Sequence, residues 1–120
     1  MAVVYVVQKQ LMLDRETGEL VPRFDLSAAA EFGQLEFLLS PSAKPFDPEP
    51  IARDLHAGLE NFTEDDYLLL VGNPVLIGMS TAVAAYYSEG IVNFLQWHGK
   101  DRRYVAVRAD IDEPVVAEDE

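Results

Sequence analysis

The sequence predicts an α/β fold: one domain in a Rossmann-like three-layer arrangement, with a mainly parallel central sheet, an antiparallel C-terminal edge strand and an early β-hairpin. Three observations carry this reading. Between Asp66 and Trp97 the chain runs through an apolar stretch, a Gly72-Asn73-Pro74 punctuation, a small-residue apolar helix, a stop at Gly90 and a second apolar stretch, which together make a β-turn-α-β unit. Residues 34–62 supply another strand followed by a helix, so residues 34–97 imply two right-handed crossovers and a parallel core. At 120 residues, with 49% hydrophobic and 25% charged side chains, the chain suits one domain with one core.

Val3 to Val7 is a β-branched run containing Tyr5 and reads as a buried strand of the same sheet. Leu11-Leu13 and Leu20-Val21 flank Asp14 to Glu19, whose Asp and Gly favour a turn, so a hairpin is expected, with Pro22 holding its far end at an edge. Asp25 and Ser27 offer caps for a short helix from Ala28 to Phe32, stopped by Gly33. Leu35, Phe37 and Leu39 alternate with their neighbours as a strand that ends at Ser40-Pro41. Asp47 and Pro48 suit an N-cap and first helical position, after which Ile51, Leu55, Leu59 and Phe62 fall on one helical face.

Tyr67 to Val71 is continuously apolar, as expected of a strand covered on both sides. Asn73 can cap and Pro74 can open the helix Val75 to Ser88, which Gly90 ends in the left-handed conformation. Ile91 to Trp97 is the next strand, and Tyr104 to Arg108 pairs back on it through Gly99-Lys100-Asp101. The domain is therefore expected over residues 1–110, with 111–120 as an acidic disordered tail.

Composition removes several classes of chemistry. Cysteine is absent, which excludes disulfides, thiolate metal sites and a cysteine nucleophile. With His56 and His98 as the two imidazoles, a histidine-rich metal site is excluded, and no cofactor or metal is expected. The net charge is −12, and Asp110, Asp112, Glu113, Glu118, Asp119 and Glu120 place half of it in the last eleven residues. That balance opposes direct nucleic-acid binding, which needs a basic face to displace counterions, while it permits a basic protein partner. Met1 to Val7 lacks a basic leader, and no apolar run reaches membrane-spanning length, so a cytoplasmic protein away from membranes is expected.

Ligands of open α/β sheets bind beyond the carboxyl ends of the strands. Those ends supply Ser40 and Ser42, then Gly72 and Asn73, then Trp97 and His98 with Lys100 and Arg102 close behind. A helix beginning at Asn73 would direct free N–H groups and its positive dipole end at a small anion, with Trp97 as a stacking face. The plainer reading is that Gly-Asn-Pro is ordinary strand-to-helix turn chemistry. Gly72 and Gly78 are separated by one residue too many for a P-loop, and Met79 stands where its lysine would be. Ser80 and Thr81 read as packing residues, His56 as solvent exposed, and Asp65-Asp66 as lying at the wrong end of a strand for catalysis. Lys100, Arg102 and Arg103 form a basic turn. No catalytic set emerges, because nothing pairs a nucleophile with a base.

The block Tyr67 to Pro74, Ala84-Ala85, Gly90, Leu95-Gln96-Trp97 and Arg102-Arg103-Tyr104, with Phe24 to Ser27 and Glu31 to Gly33, resembles small proteins encoded by tailed bacteriophages. Those carry a VG-[DN]-P turn, an alanine-rich helix and a tryptophan followed by a basic segment and an Arg-Tyr pair. Asn73 and His98-Gly99 stand where acidic residues occur in that pattern, which argues against a cation at the turn. The resemblance implies a viral accessory protein in the host cytoplasm and carries no activity with it. The leading expectation is thus a non-enzymatic accessory protein that binds a protein, such as a host protein, or self-associates. A homodimer is expected from Leu76, Met79, Val83 and Tyr86 or Tyr87. The alternatives are an anion-binding or nucleotide-type module at Gly72-Asn73-Pro74, and an acidic DNA mimic that inhibits a host protein.

Overall fold

The structure, a computed structural model, describes residues 2–114. Strand β1 (Val3–Gln8) is followed by a hairpin of β2 (Leu11–Leu13) and β3 (Leu20–Pro22), a 3-10 turn (Ala29–Glu31) and β4 (Gln34–Leu39). Then come α1 (Pro48–Leu59), β5 (Tyr67–Leu69), α2 (Pro74–Tyr87), β6 (Ile91–His98) and β7 (Arg103–Asp110). The main sheet has the order β4-β1-β5-β6-β7, parallel except for β7, while β2 and β3 pair as a separate two-stranded sheet.

Strand order decides where the layers fall. The connections through α1 and α2 both advance in the same direction across the sheet, and right-handed crossovers therefore put both helices on one face. The path from β1 to β4 runs the other way, so it crosses the opposite face. On the helical side Tyr5, Val7, Leu68 and Val92 pack against Ile51, Leu55, Leu59 and Leu76. Val4, Val6, Leu69 and Leu95 point the other way and meet Ala29, with Leu26 and Phe32 beside it. That second face is covered by a loop whose 3-10 turn, Ala29–Glu31, stands where the sequence suggests a short helix from Ala28 to Phe32. Alternate residues of β1 and β5 are apolar on both faces because both faces are buried.

Local details follow from side-chain chemistry. Pro48 opens α1, but Asp47 at its N-cap makes no side-chain capping bond. Phe62, expected on the helix face, lies just beyond α1 and packs its ring 5.6 Å from that of Tyr5. At the end of α2 the left-handed C′ position belongs to Glu89 (φ 56°), not to Gly90 as the sequence suggested. The Gly90 N–H donates to Ala85 O at 2.8 Å, which makes this a Schellman-type end. Gly90 (φ 88°) also lies so close to Asp112 that an added Cβ would sit 2.5 Å from its carboxyl carbon.

The amino-terminal ends of the strands are locked by polar contacts. Buried Asp66 accepts from Val3 N–H and from the N–H and hydroxyl of Thr63, at 2.9, 2.9 and 3.1 Å. Asn93 donates to the carbonyls of Glu64 and Asp66, and Arg108 donates to Glu64 O at 3.2 Å. Asp66 is thus a structural tie between β1 and β5. Of the tail expected at 111–120, Ile111 N–H still donates to Gly90 O at 2.7 Å, and residues 115–120 lie outside the described residues.

Candidate functional site: an aromatic cleft beyond β5 and β6

Between β1 and β5 the connections diverge to opposite faces, which makes the crevice at their carboxyl ends the expected place for a ligand. Gln8 fills it. Its side-chain Nε2 donates to Ser40 O at 3.2 Å and to Pro41 O at 3.4 Å, and its Oε1 accepts from Asn73 N–H at 3.0 Å. Gly72 (φ 142°) lies against it so closely that an added Cβ would come within 2.7 Å of the Gln8 Cβ. Asn73 caps α2 as expected, its Oδ1 accepting from Val75 N–H at 2.9 Å. Pro74 has no N–H to offer, so the protein itself already occupies most of the donors that would meet an anion here.

Open space lies on the face away from the helices. A cleft of about 840 Å³ is bounded by Arg23 to Asp25 and Ser27-Ala28 on one side and by the ends of β5 and β6 on the other. Val71 belongs to its apolar floor, with buried Leu69 and Leu95 beneath. Two rings on its walls are half exposed, Phe24 at 46% and Trp97 at 49%. Single exposed apolar residues are common on proteins, but two large rings lining one concavity mark a place that can exclude water around a guest.

Cross-strand geometry sets the Trp97 ring. Trp97 lies opposite Tyr104 in the β6–β7 ladder, and the ring centroids are 5.0 Å apart in an edge-to-face arrangement. The main chain of β6 is also informative. Gly90 O accepts from Ile111 N–H, so in this antiparallel ladder the even-numbered residues of β6 face β7 and the odd-numbered ones face β5. Pairing with β5 stops at Leu69 and Leu95, two residues before Trp97. The Trp97 N–H and C=O therefore point toward the space that β5 leaves, between Gln96-Trp97 and Leu70-Gly72.

The charged rim is small and mixed. The Arg23 guanidinium lies over the Phe24 ring at 5.4 Å, and the Arg23 main chain is held by an N–H donated to Gln10 O. Asp25 accepts the Ser27 N–H at 2.9 Å, and that bond, with one from the Ser27 side chain, holds its carboxyl below the usual range. Burial, and then the negative charge of Asp25, push the Tyr104 phenol above its ordinary value. Tyr104 is therefore a neutral hydroxyl at physiological pH, and Asp25 an anion.

Of the residues singled out from the sequence, Gly72 and Trp97 line this cleft. Ser40 lies elsewhere, its hydroxyl 3.1 Å from that of Ser42. His98 turns to Asp101, 3.4 Å away, and Lys100 and Arg102 occupy the exposed β6–β7 turn, Arg102 at φ 52°. Arg23, Phe24, Asp25 and Tyr104 were not singled out as site residues. Their signal was faint: an Arg-Phe-Asp run after a proline reads as a loop, and a loop's partner across a sheet is not encoded locally. Among the described residues, no group of three or more His, Asp or Glu side chains is placed to hold a metal ion, and no helix is long and apolar enough to cross a membrane.

Fold and site together define a small α/β protein with an open aromatic cleft at the carboxyl edge of its sheet. Residues 2–111 match the model of the Phage Pam3 gp32-like protein family, and the chain belongs to that family. No curated protein and no solved structure matches it.

Proposed function

We propose that this phage protein is an accessory factor that acts by non-covalent binding, and that the cleft receives an extended segment of a partner protein. The observation that carries the reading is the coincidence of two half-exposed rings, Phe24 and Trp97, with a strand edge that runs past its neighbour at Trp97. An extended chain can pair its main chain with such an edge while it seats an apolar side chain among Val71, Phe24 and Trp97. Arg23 and Asp25 present both signs of charge, which suits a peptide better than a bare anion. The apolar floor supplies the affinity and the strand edge the direction. A protein target also agrees with the acidic surface, which disfavours a nucleic-acid backbone.

Trp97 is the single tryptophan, so its emission reports the cleft directly. Peptides selected from a random library on the immobilised protein should carry an apolar or aromatic anchor and shift Trp97 emission to the blue on binding. Phe24→Ala should weaken them at least about tenfold, about 1.4 kcal/mol, whereas Arg53→Ala on exposed α1 should leave binding unchanged. Peptides that bind wild type and Phe24→Ala alike, or that leave Trp97 emission unmoved, would overturn the proposal.

A further inference from the structure

The surface of α2 away from the sheet carries a second message, independent of the cleft. A quarter of the chain is charged, yet the fourteen residues of α2 contain no charged side chain. Its buried line is Leu76, Ser80 and Ala84. Met79 and Val83, expected from the sequence to serve a partner, pack in part against the protein's own core. Val75, Gly78, Ala82 and Tyr86 are exposed, and they recur at helical spacing on the outer side. A helix apolar on all sides is the pattern of one covered on all sides, and here one side is open.

Tyr86 is an unusual exposed residue because it is held in place. It is 73% exposed, but its ring packs edge-on against Tyr87 at 5.0 Å and His56 at 5.8 Å. His56 Nδ1 and the Tyr87 hydroxyl share a hydrogen bond of 2.7 Å, which fixes the base of this cluster across α1 and α2. An ordered aromatic projecting from a charge-free face loses little freedom when it is covered.

We infer that this face pairs with a second copy of the chain, α2 against α2 in antiparallel fashion about a two-fold axis. The identity of the occupant follows from charge and from spacing. On a molecule of net charge −12, a charge-free face is where two copies meet at least electrostatic cost, and α2 is such a face. The exposed set is close to symmetric about residue 80: small Gly78 and Ala82 lie two positions to either side, and the larger Val75 and Tyr86 lie five and six positions out. A two-fold axis close to residue 80 puts Val75 against the partner's Tyr86, about 16 Å from the other such contact, and Gly78 beside the partner's Ala82. Gly78, whose Cβ position is open space, and Ala82 let the helix backbones come close at the crossing. One helix pair buries less than a standard stable interface, so dimerisation belongs in the micromolar range.

Sedimentation velocity from low micromolar to about 1 mM protein tests this. Wild type should pass from 13.4 kDa toward twice that mass as concentration rises. Ala82→Glu, at an exposed helical position, should move the midpoint up more than tenfold with an unchanged thermal melt, and Ala82→Ser should behave as wild type. Tyr86→Ala gives an independent disruption in the same direction. A wild-type mass that stays at 13.4 kDa up to the highest concentration, or an Ala82→Glu protein that associates as wild type does, would overturn the inference.

Discussion

Asp66 and Gln8 show how much of this molecule rests on single polar side chains. Each ties positions more than 60 residues apart, Asp66 to Val3 and Gln8 to Asn73. Asp66→Ala leaves the Val3 and Thr63 amides without their acceptor, and unfolding in urea should show a loss of about 2–4 kcal/mol. Gly72→Ala should also destabilise, because the backbone conformation disfavours a side chain and the new Cβ would collide with Gln8. Neither role was legible in the sequence: Asp66 reads as a carboxylate at the wrong end of a strand for catalysis, and Gln8 lies one residue past the apolar run Val3 to Val7, with no partner nearby in the chain. By contrast, Asn73 was legible as a cap because its partner is two residues away. Tyr104 gives a test by pH. Its phenol is raised above the ordinary tyrosine value first by burial and then by Asp25, so the folded state favours the neutral form. The associated stability is fully present below the unfolded value near about 10 and is lost as pH rises through the folded one. Tyrosinate formed 5.0 Å from Trp97 quenches its emission, so the quenching midpoint should lie above about 10 and fall in Asp25→Asn. A midpoint at or below 10 in wild type would contradict the placement of Tyr104.

Among the elements, those set by local periodicity were legible and those set by distant pairing were less so. The four-residue steps of Ile51, Leu55 and Leu59 located α1, and the apolar run with Gly72-Asn73-Pro74 located β5 and the start of α2. The end of α2 was misplaced by one residue. Glycine is the usual occupant of the left-handed C′ site, so Gly90 was the natural candidate, yet Glu89 takes it and Gly90 follows with its own positive φ. Glu89→Gly should therefore stabilise the protein by about 0.5–1 kcal/mol, measured as a higher thermal or urea midpoint. A loss of stability there would mean that the Glu89 side chain makes a contribution larger than its backbone strain. The short helix suggested over Ala28 to Phe32 is a single 3-10 turn, Ala29–Glu31, and Asp25 uses its capping chemistry for a turn onto Ser27 N–H.

For the whole molecule, the parallel core and its antiparallel edge strand follow from the alternation of strand and helix, since handed crossovers leave few alternatives. The same handedness puts both helices on one face and leaves the other to the connection between β1 and β4. That connection, with no helix of its own, is what makes room for the cleft. At the carboxyl end of the sheet Trp97 lines that cleft, while Gln8 accepts the Asn73 N–H at the start of α2. Membership of the Phage Pam3 gp32-like protein family agrees with the resemblance to phage proteins carried by the motifs between Phe24 and Tyr104. The central claim is that the cleft is where this protein meets its partner. Mapping backbone amide shifts by NMR, with a library-selected peptide titrated into the labelled protein, tests it most directly. The account predicts that the largest changes fall on Trp97, on Leu70 to Gly72 and on Arg23 to Ala28, with the Trp97 amide moving as a newly bonded donor. Changes centred on the Asn73 end of α2 or on the Gly99 to Arg102 turn, with the cleft amides still, would contradict it.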